Sequence, residues 1–166
     1  RTFTLNEWHH AVFVRDNSGN LTTYLDGVLD GSGYQNANVT SNLGDLRIGA
    51  NHNSGVTTLH HDGEIDEVAF WSSELSADEI AELYNNGVPL DASSNYGQYT
   101  SSYNLTAYYK FDEGSGSIAI DHTSNGNDGD VLGANWITQG NPNQVVYTPY
   151  PNFYGMDSFS FTAFDG

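Results

Sequence analysis

Cysteine is absent from the 166 residues, which excludes a disulfide framework, a zinc–thiolate site and a cysteine nucleophile. Positive charge is almost absent as well. Four Lys and Arg stand against 21 Asp and Glu, for a formal charge of −17. A chain of that sign repels polyanions, so nucleic acid and anionic membrane surfaces are excluded as partners. No apolar run has the length of a membrane span, and no signal peptide is recognisable, so membrane insertion is not expected. The chain begins at Arg1 rather than Met, and any export signal is expected outside it. No glycine-rich dinucleotide fingerprint, phosphate loop or Ser–His–Asp arrangement occurs in a credible context, so no organic cofactor is expected.

What is present is most informative between Gly63 and Tyr84. Residues 65–71 read as a strand, with Asp66, Val68 and Phe70 on one face and Ile65, Glu67, Ala69 and Trp71 on the other. A helix over 76–86 follows almost at once. Ser76 and Glu79 have the spacing of a capping box, Leu75 and Ile80 that of a hydrophobic staple. Ile80, Leu83 and Tyr84 form its apolar stripe, and Gly87 then Pro89 stop it.

The rest of the chain reads as strand, turn, strand. Residues 7–15 alternate around Trp8, His10, Val12 and Val14, the 16–20 cluster turns, and 21–25 return as a hairpin partner. Asp26-Gly27 permits a further tight turn into Val28 and Leu29. Residues 30–42 are expected to be loop, 43–50 strand, 52–61 a histidine-bearing loop and 91–104 a connector. Strands are expected at 105–111 and 134–137 with a long polar loop between them, and at 157–164. Many short strands, polar turns and one helix predict an all-β chain folded as a jelly-roll β-sandwich.

Three motifs also carry a family resemblance. "GEIDEVAFWSSELSADEIAELYNNG" (63–87) resembles the closing segment of laminin-G-like, concanavalin A-like lectin domains of bacterial surface proteins. "LNEWHHAVFVRDNSGNLTTYLDGVLDG" (5–31) resembles the two-strand unit that precedes it. "LTAYYKFDEGSGSIAIDHTSNGNDGDVLGANWIT" (105–138) resembles the start of such a domain, yet follows its end. "VVYTPYPNFYGMDSFSFTAFDG" (145–166) resembles the tail of a cadherin-like or immunoglobulin-like adhesin repeat. The organisation implied is late strands and closing helix at 1–90, a linker at 91–104, early strands at 105–140 and an adhesin-type tail at 141–166. The chain is then either a cut-out of a longer repetitive polypeptide or an incomplete or permuted sandwich. First and last strands of this family lie close together, which implies that 105–111 pairs beside 65–71. The resemblance, with the lack of cysteine, implies an extracellular or bacterial cell-surface setting.

The superfamily also contains glucanases, which need a Glu-x-Asp-x-Glu strand to flank a glycosidic bond with two carboxylates. Glu64 and Asp66 occupy the first two positions, but Val68 stands where the acid/base belongs. No enzyme is expected. The acidic balance either maintains solubility or supplies hard oxygen ligands for calcium. Asp66, with Asp112 beside it if the strands pair, is one candidate calcium position, the alternative being hydrogen bonding to backbone N–H groups or a tryptophan. The loop containing Asp121, Asn125, Asn127, Asp128 and Asp130 is a second candidate cage, or a plain turn-rich loop. Trp71 and Tyr108 are candidate sugar-stacking residues, and His52 and His60 candidate ligand contacts or else surface and packing residues, while Trp8 and Trp136 are assigned to the core. The expected function is non-catalytic binding of a glycan or surface protein with structural calcium, with neighbouring domains of the same polypeptide or a second copy of the chain as further partners. The alternative is an architectural spacer.

Overall fold

The computed structural model describes residues 4–34, 46–53, 56–58 and 60–137. The expected tail at 141–166, with its 157–164 strand, and the whole 35–45 stretch fall outside the described residues. Strands β1 (Ala11–Arg15), β2 (Asn20–Leu25) and β3 (Val28–Tyr34) form an antiparallel sheet in that order. Val12 pairs opposite Tyr24 and Phe13 opposite Thr23. Both turns are written in the sequence. Asp16 folds back on the first, its Oδ1 accepting from the N–H of Ser18 and of Asn20, each at 2.8 Å. Asp26 (φ 52) and Gly27 (φ 70) both take left-handed backbone, as a two-residue turn that matches strand twist requires. Gly27 is also obligatory on steric grounds, since a Cβ there would lie 2.9 Å from Cδ1 of Tyr84. β3 runs on to Tyr34, where a loop was expected from residue 30, because its backbone completes the β2 ladder even with Gly31 and Gly33 in it.

A short hairpin of β4 (Asn51–Asn53) and β5 (Val56–Thr58) follows. The strand expected at 43–50 is not formed over 46–50, and extended structure starts at Asn51 instead. β6 (Val68–Trp71) then leads into helix α1 (Ala77–Tyr84). The capping box is complete. The Ser76 Oγ accepts from the Glu79 N–H at 3.2 Å, and Glu79 Oε2 accepts from the Ser76 N–H at 2.9 Å. Leu75 and Ile80 are both buried in one cluster, the staple the spacing predicts. The helix stops earlier than Gly87, at Asn85, which adopts left-handed backbone (φ 40) and donates its N–H to the Ala81 carbonyl.

Glu79 reaches beyond its own turn. Its second oxygen accepts from the Ser101 hydroxyl at 2.5 Å and the Thr100 N–H at 3.3 Å. Burial would raise its pKa, but hydrogen bonds from Ser101, Ser76 and Thr100 outweigh burial and hold it below the ordinary glutamate value. Replacing Ser76 with Ala removes one donor and one acceptor of this junction, so a loss of about 1 kcal/mol is expected. Ala77→Ser should cost far less; equal shifts in chemical denaturation for the two variants would remove Ser76 as the cap.

β7 (Leu105–Tyr109) pairs antiparallel with β6, Val68 opposite Tyr109 and Ala69 opposite Tyr108. The pairing implied between the 65–71 and 105–111 segments is therefore present. Both strands are shorter than expected because Glu67 (φ 52) and Phe111 (φ 55) adopt left-handed backbone and end the ladder. β7 is buried on both faces. Tyr108 enters a cluster with Ile80, Leu83, Leu90 and Tyr99, onto which Val12, Val14 and Tyr24 of the sheet pack. Ala107 and Tyr109 enter a second cluster with Ala119, joined by Phe111, Val131 and Trp136.

The 91–104 stretch, expected as a connector, carries part of this core. Tyr96 and Tyr99 bridge each other through backbone hydrogen bonds, and Tyr99 is fully buried. Its hydroxyl donates to the Ala92 carbonyl at 2.7 Å and accepts from the Trp71 indole N–H at 3.0 Å. The long polar loop after β7 contains a small ladder of β8 (Ile118–Ala119) with β9 (Gly129–Asp130). Residues 134–137 form no strand; Trp136 instead donates its indole N–H to the Gly116 carbonyl at 2.7 Å and packs on Phe111.

Candidate functional site

The acidic loop is built around Asp121, which is 6% exposed. One of its oxygens accepts from the N–H groups of Tyr108 (3.0 Å) and Thr123 (2.9 Å). The other accepts from the Thr123 hydroxyl and the Asn127 N–H, both at 2.9 Å. Burial would raise its pKa, but the N–H donors of Thr123, Asn127 and Tyr108 outweigh burial and hold it low. Asp128 accepts from the Asp121 N–H. Asn125 and Asn127 both turn their amide N–H groups to the Thr106 carbonyl, at 3.0 and 2.9 Å. Asp130 sits exposed on β9. The loop thus closes around an anion with donors pointing inward, a geometry opposite to that of a cation cage. Both Asp121 oxygens are thus taken by donors of the chain itself, which leaves this carboxylate no place for a cation.

Asp66 is half-buried, and burial raises its pKa, with Asp112 and Glu64 adding to the rise by repulsion. Asp112 therefore lies within electrostatic reach of Asp66, where the strand pairing was expected to bring it. Glu67 turns the other way and accepts a hydrogen bond from the Tyr108 hydroxyl. Burial pushes its pKa up to about 7, against the Tyr108 hydrogen bond and with the help of Asp66. The nearby cation, Lys110, is held by Asp91 at 2.7 Å.

The two aromatic residues expected to stack on a ligand are occupied. Tyr108 is 1% exposed, and its ring lies inside the helix cluster. Trp71 packs edge-on against Tyr99 and spends its indole N–H there. The Tyr108 ring is therefore closed to a sugar, while Trp71 is half-buried with its indole N–H already spent. His60 is exposed, and His52 falls on β4 with its side chain outside the described residues. Trp8, assigned to the core, is 55% exposed, because the regular strand begins only at Ala11.

An open aromatic lies instead at Phe13, 70% exposed in the middle of β1. On its face of the sheet it is flanked by Ala11 and Arg15 on β1. Across the ladders lie Thr23 and then Gly31. Small neighbours leave the ring standing proud. The sequence did contain this signal: Phe13 is out of phase with Val12 and Val14, so a sheet that buries the valines must present the phenylalanine.

Residues 1–81 match the laminin-G-like family described as the concanavalin A-like lectin/glucanases superfamily. The match covers just under half of the chain, and the fold is an all-β, concanavalin A-like one. The structure is similar to the crystal structure, at 1.50 Å resolution, of a proposed carbohydrate-binding protein from Bacteroides ovatus ATCC 8483, with a TM-score of 0.56 and 21% identity. The likeness covers 77% of this chain and 35% of the Bacteroides protein, so the chain spans about a third of that length. No curated protein matches the sequence.

Proposed function

We propose that this chain is a non-catalytic carbohydrate-binding segment of a larger bacterial surface or secreted protein, with the β1–β2–β3 face around Phe13 as its sugar platform. The observation that carries this reading is an aromatic ring left open on a regular strand of a lectin-type fold, among residues small enough for a pyranose to lie flat on it. The apolar face of a sugar stacks on the ring, and the cross-strand Thr23 hydroxyl, which donates to the Gly31 carbonyl at 3.3 Å, keeps lone pairs that accept from a sugar hydroxyl. The net charge of −17 favours neutral glycans over uronic or sulfated ones. A non-catalytic role is supported by Val68 in the acid/base position and by the hydrogen bond that takes Glu67 towards Tyr108. Calcium, if it binds, has Asp66 and Asp112 as its protein ligands, where a cation would relieve their mutual repulsion.

A glycan array probed with and without chelator tests both parts. Binding to neutral glycans is expected, weakened in Phe13→Ala by about 1 kcal/mol, the size of one aromatic stacking contact. A blank array would favour the spacer reading. Unchanged binding by Phe13→Ala would move the platform elsewhere, and insensitivity to chelator would remove calcium from it.

A further inference from the structure

His9 and His10 sit side by side just before β1, yet their surroundings push them in opposite directions. His9 Nδ1 lies 2.9 Å from Asp26 Oδ2. That hydrogen bond is the main reason its pKa is raised. His10 donates its backbone N–H to the other oxygen of Asp26 at 3.0 Å, and its carbonyl accepts from the Asp26 N–H at 2.8 Å. Asp26 thereby pins the chain at His10 through both backbone groups, and both of its carboxylate oxygens are engaged. The His10 ring is turned away from this clamp. It stacks on Tyr84, the last residue of α1, with ring centroids 6.0 Å apart and planes 17° from parallel. Its Nδ1 is buried and has no hydrogen-bond partner. Gly27 closes the other approach to Tyr84.

We propose that the His10–Tyr84 stack, held in place by Asp26, is an acid-sensitive joint between the β1–β2–β3 sheet and helix α1. A neutral imidazole stacks on the phenol without needing a partner for Nδ1. Protonation makes Nδ1 a charged donor in a place that offers no acceptor, since a buried ion without a partner is strongly disfavoured. The groups facing His10 are Asp26 from the β2–β3 turn, Tyr84 from α1, and His9 on its own segment. Asp26 is the one anion among them, and His9 already holds one of its oxygens and the His10 N–H the other. Protonated His10 reaches that carboxylate only by displacing one of them, which moves its ring off Tyr84.

The sign follows from burial, which lowers the His10 pKa against a smaller opposing pull from Asp26. The folded chain therefore binds the proton less readily than the unfolded one. The joint is intact above the ordinary histidine value of 6.5 and weakens as pH falls below it. His9 acts oppositely, which is why the two must be separated by mutation.

The test is amide hydrogen exchange of α1 in the whole chain between pH 7.5 and pH 5, corrected for intrinsic rates, in the natural sequence and in His10→Phe. Phenylalanine keeps the stack and cannot titrate. Protection of α1 should fall in the natural chain by up to about tenfold per pH unit, the limit for uptake of one proton, and hold or rise in His10→Phe, where His9 alone of the pair titrates. Parallel loss in both chains overturns the proposal. Should His10→Phe not fold, the His10 ring-proton NMR titration of the natural chain decides: a midpoint below that of free histidine supports the joint, and one at or above it overturns it.

Discussion

Asp121→Ala is expected to be among the most damaging single substitutions, with a loss of about 3–5 kcal/mol read from chemical denaturation. Four hydrogen bonds end on this carboxylate, and one donor, the N–H of Tyr108, sits on a strand buried on both faces. Truncation leaves that N–H without an acceptor where water does not replace it, and the 121–127 turn loses the centre it winds around. Asp121→Asn should fall between, since one acceptor oxygen becomes a donor aimed at donors. Because the folded-state pKa lies below the ordinary aspartate value, this contribution is present above that value and disappears as pH falls through the lowered one. A small change in Asp121→Ala, within the range of exposed positions, would show the loop to be held by something else.

The second large effect is expected at Tyr99. Removing a buried aromatic ring to Ala costs about 3–5 kcal/mol through lost burial and the cavity left behind. Tyr99→Phe keeps the ring and loses the hydroxyl that links the Trp71 indole to the Ala92 carbonyl, so about 1–2 kcal/mol is expected. The pair of variants separates packing from hydrogen bonding. If Tyr99→Ala unfolded at the same denaturant concentration as the natural chain, the 91–104 stretch would be a connector after all.

Where structure depends on near neighbours, the sequence was legible. The capping box, the staple and both β1–β3 turns are local, set by spacings of two to five residues. The β6–β7 pairing is not local, and it was reached through the resemblance and its usual strand order. What stayed hidden has a common cause. Asp121 looked like a cation ligand because its residue type offers oxygens, but three of the four donors that satisfy it are backbone N–H groups, which carry no signature in a sequence. Tyr108 looked like a platform because aromatic residues serve both cores and surfaces, and only the two buried clusters together show that β7 has no outer face. The same ambiguity made Trp8 a core residue and passed over Phe13. Residue type states what a side chain can do; the strand's phase and its neighbours decide which of those it does.

The ladder between β6 and β7 also bears on the odd arrangement of the chain. The register that sets Val68 opposite Tyr109 and Phe70 opposite Ala107 does not depend on which strand was synthesised first. Closing a loop twice as long costs only about 0.6 kcal/mol more, and here the intervening chain is no idle loop, since α1 and the Tyr96–Tyr99 bridge pack against the very strands it connects. The sandwich is therefore fastened like a clasp whose two halves meet wherever the strap is sewn. A break in the strap would leave the clasp shut.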